Sequence, residues 1–240
     1  MGTYSALVGL FEPIIDQLNN NGVRYVVVGG VAVVLHGYAR LTADLDLAVD
    51  LSMSEARKAI EALLSMGFRP TAPVDPIGFA DPRVRAQWIS EKQMRVFSMR
   101  DPENPMRIVD LFAENPVDFE ELWVRSELVS LADSTVRVAS IPDLIAMKRL
   151  AGRQQDLQEI EALEEIAKRR RQRMTEQPAS SASPSERARA DWEGHRLEQL
   201  TLGLAATPAQ RLAWLEEMIL LAHRTGALPR SQPLDRERKG

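Results

Sequence analysis

The chain has 240 residues, of which 45% are hydrophobic and 27% charged, and its 30 Lys and Arg against 34 Asp and Glu give a net charge of −4. This composition supports a sizeable globular core and excludes collagen-like, wholly disordered and integral membrane proteins. There is no cysteine, which excludes disulfides, thiolate zinc sites, iron–sulfur clusters and cysteine nucleophiles.

The first residues of the chain and its hydropathy indicate where in the cell the protein is expected. Residues 1–13 have no basic n-region and contain Glu12, so we expect no secretory signal. No run approaches the roughly 18 apolar residues that a membrane span needs. We therefore expect a cytoplasmic protein with no membrane partner. Its mild acidity argues against a nucleic-acid binder that works by bulk charge.

Hydrophobic periodicity predicts alternating helices and strands in the first half of the chain. A Gly-Gly pair at 29–30 is expected to turn the chain between the first strand and the second helix. In chain order the predicted elements are a helix over 4–20, a strand over 24–28, a short helix over 31–36, a strand over 45–49, a helix over 53–66, and strands over 93–99 and 106–112.

The second half is predicted to be mainly helical, apart from a hairpin-like strand pair over 127–139. The helices fall at 117–126, from Pro142, at 155–171, at 187–204 and at 208–225. Ser- and Pro-rich composition predicts a linker over 173–186. We accordingly predict an α+β (mixed α/β) domain over 1–172 with a small mixed β-sheet flanked by helices, then the linker, a helical hairpin module over 187–228 and a flexible tail over 229–240.

Four residues between 26 and 50 combine into a pattern with chemical meaning. Gly29 and Gly30 follow a buried strand and precede a helix, where glycines let a phosphate approach backbone N–H groups. Asp44 and Asp46 are two apart on a strand, so both carboxylates face the same side. Carboxylates paired in this way suit Mg²⁺ together with substrate phosphates. Two such metal ions would clamp the attacking and leaving oxygens of a phosphoryl transfer.

This pattern resembles the nucleotidyltransferase superfamily with the DNA polymerase β-like fold, and more narrowly the AbiEii/AbiGii toxin-type minimal nucleotidyltransferases. The resemblance covers roughly residues 10–170. The family's glycine and Asp-x-Asp motif, its third carboxylate and its Lys-x4-Arg-x2-Asp motif fall on Gly29, Gly30, Asp44, Asp46, Asp110, Lys148, Arg153 and Asp156. Two departures are the missing hydroxyl residue after the first glycine and a spacer of 13 residues before Asp44, which is longer than usual.

The resemblance implies Mg²⁺-dependent transfer of a nucleoside monophosphate from an NTP to an acceptor hydroxyl, with release of pyrophosphate. It implies that the three aspartates bind metal, in a two-metal site, and that Asp110 accepts the acceptor's proton. Lys148 and Arg153 are expected to bind phosphates, with Asp156 orienting the arginine. Arg40 and Thr42, just before the carboxylates, contact phosphate or fix the loop.

Three interpretations of the function remain open. The first is a toxin–antitoxin component that modifies tRNA or a protein, the second an antitoxin-like transferase that modifies a partner toxin, and the third a catalytically inactive nucleotide-binding or interaction module. The last helix has an apolar stripe that comprises Leu212, Leu215, Met218, Ile219 and Ala222. Three alternatives are open for it: the stripe folds back on the body, it mediates self-association, or it binds a partner such as an antitoxin. His36 is expected to be a packed, hydrogen-bonded residue.

Overall fold

A computed structural model describes residues 9–175 and 200–227. Its helices are α1 Glu12–Asn20, α2 Gly29–His36, α3 Met53–Ser65, α4 Pro82–Lys92, α5 Phe119–Arg125, α6 Ile141–Ala151, α7 Gln154–Thr175 and α8 Pro208–Thr225, with a 3₁₀ helix at Pro76–Ala80. Its strands are β1 Tyr25–Val27, β2 Asp44–Val49, β3 Arg69–Pro70, β4 Val96–Arg100, β5 Ile108–Phe112, β6 Glu127–Ser130 and β7 Thr135–Val138.

The seven strands form one mixed sheet in the order β3-β4-β5-β2-β1-β7-β6. β2 runs parallel to β5 and antiparallel to β1, while β1 runs parallel to β7. The two outer pairs, β3–β4 and β6–β7, are antiparallel. The predicted α+β class, with a mixed sheet flanked by helices, is confirmed.

The centre of the fold is the pairing of β1 with β2 and the helix α2 that follows β1. All three residues of β1 are buried, and so is every residue of α2 after Gly29. A helix that is apolar all round must be covered on all sides, and α2 is in fact packed against β2, α6, α7 and α8. The beginning of α2 is therefore held rigidly beside the sheet.

Most predicted elements lie within a few residues of the observed ones, although α1 begins at Glu12 whereas a helix was predicted from residue 4. Three further differences matter. The second helix begins at Gly29 rather than at residue 31, so the glycines belong to its first turn. Nothing was predicted between 67 and 92, where β3, the 3₁₀ helix and α4 lie, because that Pro- and Gly-containing stretch lacks a clear apolar period. α7 ends at Thr175, beyond the predicted boundary at 172; most of the predicted linker (176–186), the first part of the hairpin (187–199) and the tail lie outside the described residues.

His36 at the end of α2 is packed and hydrogen-bonded, as predicted. Its Nε2–H donates to the Ala139 carbonyl at 2.8 Å, and its Nδ1 accepts from Arg170 at 3.0 Å. Burial lowers the pKa of His36, which agrees with a neutral ring in that tautomer. Arg170 also pairs with Glu127 at 3.0 Å, so α7 and β6 are both fastened to α2.

The apolar stripe of α8 folds back on the body of the same chain. Leu212, Leu215, Ile219 and Ala222 are buried and α8 packs against α2, whereas Met218 lies at the edge and is 36% exposed. Polar contacts reinforce this packing, because Arg211 donates to the Leu35 carbonyl and Glu216 accepts from the backbone N–H of Phe11. Of the three alternatives for the stripe, the structure shows the intramolecular one.

No described helix is long and apolar enough to cross a membrane.

We expect Leu215→Ala to lower the free energy of unfolding by about 2–4 kcal/mol, because the side chain is fully buried and its removal leaves a cavity. Urea denaturation measures this. Leu221→Ala on the same helix is the matched control, since Leu221 is 62% exposed and its loss is expected to cost less than about 0.5 kcal/mol. Equal stability of the two variants would contradict the docking of α8 on the body.

Candidate active site

Strand register brings the three predicted carboxylates onto one face of the sheet. Asp46 on β2 lies directly opposite Asp110 on β5 in the parallel pairing, and Asp44 lies opposite Ile108. Since residues two apart on a strand share a face, Asp44, Asp46 and Asp110 all project to the same side. The sequence separation of 64 residues between Asp46 and Asp110 is closed by this one strand pair.

These carboxylates form the floor of a cavity of about 560 Å³. Nine of the ten predicted site residues line it, and Asp156 does not. The nine are Gly29, Gly30, Arg40, Thr42, Asp44, Asp46, Asp110, Lys148 and Arg153. The structure thus brings together residues from β2, β5, α2, α6 and the segments between them at one place.

The two glycines at the start of α2 are required by close side-chain approaches. Gly29 has φ +62°, and a Cβ built on it would lie 1.9 Å from Oδ2 of Asp46. A Cβ on Gly30 would lie 2.5 Å from Oγ1 of Thr42. The sequence had suggested that glycines here make room for a phosphate; the structure shows that they also make room for the Asp46 and Thr42 side chains.

We expect Gly29→Ala to reduce transferase activity by on the order of tenfold or more, because the new methyl group displaces the Asp46 carboxylate from its position. Gly22→Ala is the matched control. Gly22 also has φ +62° but has nothing within 4 Å of an added Cβ, so it carries only the backbone strain of about 1–2 kcal/mol. Steady-state rates together with melting temperatures separate the two effects; equal activity of both variants would contradict the role of the close approach.

Burial leaves the three carboxylates with raised pKa values. Desolvation, followed by repulsion from Asp110, raises the pKa of Asp44 to about 6. Desolvation and the charges of Asp110 and Asp44 raise the pKa of Asp46 to about 7, despite a hydrogen bond from the backbone of Gly30. Burial also raises the pKa of Asp110, against a hydrogen bond from Ser98. Ionising all three carboxyl groups is therefore unfavourable within the protein alone and would be favoured by a bound cation.

The carboxylate oxygens of the site suit a hard divalent cation, although the three carboxylates are not grouped closely around one position. One oxygen of Asp110, Oδ1, is buried without a hydrogen-bond partner in the described part of the chain. Oxygen-only donors and unneutralised charge are what Mg²⁺ requires. In 9–175 and 200–227, however, no three acidic or histidine side chains stand close enough to hold a metal ion as they are arranged. Mg²⁺ is commonly bound by one or two carboxylates together with substrate phosphates and water, so fewer than three protein ligands are enough here.

Of the four described cationic residues that line the cavity, three are held in ion pairs with carboxylates of α7. Lys148 has a side chain only 7% exposed, and it pairs with Glu159 and, at 3.6 Å, with Asp156. Arg40 also pairs with Glu159. Arg153 donates to Asp156 at 2.9 Å. With three cations facing two carboxylates, the wall has a net charge of +1.

Asp156 lies behind Arg153, in keeping with the predicted orienting role. It is 1% exposed. Its burial raises the pKa, but the hydrogen bond and charge of Arg153 and the charge of Lys148 outweigh this, so the pKa of Asp156 is lowered. An ionised Asp156 keeps the guanidinium of Arg153 at the cavity wall.

Sequence reasoning missed several residues of the site. Glu159 follows Asp156 by three positions on α7, and that spacing places both on one helix face, so a signal was available. Arg95, Phe112 and Pro116 also line the cavity, and no motif pointed to them. Their place became visible only through the β4–β5 pairing.

Comparison with known proteins gives one family. The protein-family model described as "Nucleotidyl transferase AbiEii toxin, Type IV TA system" matches residues 17–156, a range that contains all ten predicted site residues. A search of curated proteins finds no match. A solved structure similar to this chain is the solution structure of antibiotic-resistance factor ANT(2'')-Ia, with 14% identity, coverage of 91% of this chain and 92% of that chain, and a TM-score of 0.39.

Proposed function

This chain belongs to the AbiEii nucleotidyl transferase toxin family of type IV toxin–antitoxin systems, and we propose that it transfers a nucleoside monophosphate from an NTP to an acceptor hydroxyl in a Mg²⁺-dependent reaction. That it is a nucleotidyltransferase follows from the family; the donor, the metal and the acceptor are the proposal. The observation that carries it is the convergence of Asp44, Asp46 and Asp110 in one cavity beside the start of α2.

The three carboxylates share the binding of metal in this reaction, and Asp110 has a second role. Asp44, Asp46 and Asp110 would hold Mg²⁺, which when bound neutralises charge on the phosphates and on the leaving group. Asp110 accepts the proton of the acceptor hydroxyl, a role that its raised pKa favours. The acceptor oxygen then bonds to the α-phosphorus as the bond from that phosphorus to the pyrophosphate oxygen breaks, and pyrophosphate leaves.

The remaining cavity residues position the triphosphate. The first turn of α2 offers backbone N–H groups and the positive end of the helix dipole to an anion. Lys148, Arg153 and Arg40 supply the surplus positive charge of the facing wall. Thr42 packs on Gly30 and fixes the loop that leads into β2. A bound triphosphate competes with Glu159 and Asp156 for these cations.

We propose that the acceptor is tRNA or a protein. We propose an antitoxin as the partner, because the family is described as the toxin of a type IV toxin–antitoxin system. The buried stripe of α8 is occupied by the chain's own α2. A partner would therefore bind on a different surface, or displace α8.

Incubation of the full chain with each α-³²P-labelled NTP, Mg²⁺ and either total tRNA or a protein lysate tests the proposal. We expect label in one acceptor fraction with one or more NTPs, and loss of labelling when EDTA removes the metal. The Asp44→Ala/Asp46→Ala variant serves as the negative control. Labelling that persists in EDTA or in that variant would overturn the proposed chemistry, and absence of labelling by the wild type would favour a non-catalytic nucleotide-binding module.

A further inference from the structure

The order of the strands gives the cavity two distinct ends. Across the sheet the cavity runs from α2, which follows β1, over β2 and β5 to β4. On the proposed function, on which this inference rests, the triphosphate lies at the α2 end, where Gly29, Gly30 and Lys148 are. The proton acceptor Asp110 stands on β5, further toward β4. The acceptor must then approach from the β4 end.

Arg95 marks that end. It directly precedes β4, its carbonyl accepts from the backbone N–H of Ala113 at 2.9 Å, and it is an exposed residue among those that line the cavity. Ala113 directly follows β5 and is three residues beyond Asp110, which corresponds to about 10 Å of extended chain. Two or three stacked nucleotides of one strand span about the same distance.

The charge environment of Arg95 differs from that of the other cations in the cavity. Arg40, Lys148 and Arg153 are all in ion pairs with Glu159 or Asp156. Within 9–175 and 200–227, by contrast, the Arg95 side chain has no hydrogen-bond or ion-pair partner. An arginine that lines a cavity and is left without a carboxylate is available for an anion brought by a ligand.

The neighbours of Arg95 narrow the chemistry of that ligand. Phe112 pairs with Val96 across the two strands and lines the cavity together with Pro116. An aromatic residue and an unpaired arginine on the lining of one cavity are a combination that single-stranded nucleic acids can use, with bases stacked on the ring and a phosphate on the arginine. A carboxylate of a protein acceptor would use the guanidinium but would leave the ring without a role.

We propose that Arg95 binds a phosphate of the acceptor, a single-stranded end of a nucleic acid that enters the cavity from the β4 side with its terminal hydroxyl directed to Asp110. Arg95 is thus a binding residue for the acceptor and takes no part in binding the NTP.

The test compares Arg95→Gln and Arg95→Lys with Arg100→Gln in the full chain. Arg100 is the matched control, because it is an exposed arginine at the other end of β4 and is not among the residues that line the cavity. With α-³²P-NTP, Mg²⁺ and tRNA, we expect Arg95→Gln to raise KM for the acceptor about tenfold, the scale of one charge-assisted phosphate contact, with KM for the NTP unchanged. Arg95→Lys should recover most of the affinity, and Arg100→Gln should match the wild type.

A binding measurement makes the inference independent of turnover. Fluorescence anisotropy with a labelled single-stranded RNA of about twelve nucleotides should show about tenfold weaker binding by Arg95→Gln than by Arg100→Gln, with a shallower salt dependence. Equal binding by these two variants, a change only in KM for the NTP, or labelling only of protein acceptors would overturn it. If the wild type transfers no label at all, the proposed function fails, and the anisotropy comparison alone decides on Arg95.

Discussion

Asp46→Asn is expected to lower the rate of nucleotide transfer by at least about 10³-fold while leaving the protein folded. The loss of rate follows from the removal of a carboxylate from the proposed metal-binding set, which raises the barrier by several kcal/mol. The fold should survive because Asn has the same shape and retains an oxygen for the Gly30 backbone N–H. Rates with saturating NTP and Mg²⁺ measure the effect.

The same variant is expected to change how stability depends on pH. Burial raises the pKa of Asp46 from 3.8 to about 7, so between these values the folded state holds a proton that the unfolded state has released. The stability of the wild type without Mg²⁺ therefore falls as the pH rises from about 4 to 7. Asp46→Asn removes this contribution, so we expect its melting temperature at pH 8 to exceed that of the wild type by about 3 °C or more.

Mg²⁺ and a second variant provide the controls for Asp46→Asn. Mg²⁺ should raise the melting temperature of the wild type more at pH 8 than at pH 5.5, because more of the carboxylates are ionised, and it should have little effect on Asp46→Asn. Asp50→Asn is matched to it: Asp50 follows β2 and pairs with Arg24 at 2.6 Å, outside the cavity. The Asp50→Asn variant should lose some stability and keep its activity. Full activity of Asp46→Asn would contradict the assignment of the site.

Lys148→Met is expected to lower the free energy of unfolding by about 3–5 kcal/mol, the usual cost of leaving buried partners of an ion pair unpaired. The side chains of Lys148, Glu159 and Asp156 are 7%, 7% and 2% exposed. Without the ammonium group, the ion pairs that remain to these carboxylates among the described residues are Arg40 to Glu159 and Arg153 to Asp156. Chemical denaturation measures the loss. Arg149→Met is the matched control, since Arg149 is 65% exposed in a surface pair with Glu164 and should change stability by less than about 1 kcal/mol.

A double variant separates the structural role of Lys148 from its predicted role toward phosphates. Lys148→Met/Glu159→Gln removes one charge of each sign, and Arg40, with 25% of its side chain exposed, remains hydrated. We expect about half or more of the lost stability to return, while transfer stays reduced by at least about tenfold because the phosphates still lack an ammonium group. Recovery of activity along with stability would assign Lys148 to the structure alone.

The sequence alone was sufficient to identify the class of the fold, most of its elements and the candidate chemistry. Local signals carried these predictions: the apolar run before Gly29, the alternation that places Asp44 and Asp46 on one side, and the periodicity of α7. Such signals depend on residues close together in the chain, where helical and strand periods fix which side chains share a face. The family resemblance added Asp110 and Lys148, and the family itself is confirmed.

The tertiary structure decided what depends on contacts between distant residues. The pairing of β2 with β5 set Asp110 against Asp46, and the packing of α7 set Glu159 against Lys148 and Arg40. It also showed that α8 buries its apolar stripe on its own chain. An amphipathic stripe indicates only that one face of a helix must be covered. A basic residue in a motif indicates only that anions are attracted to it. Which partner each one meets is set by strand order and helix packing, because these bring together residues that no local period relates.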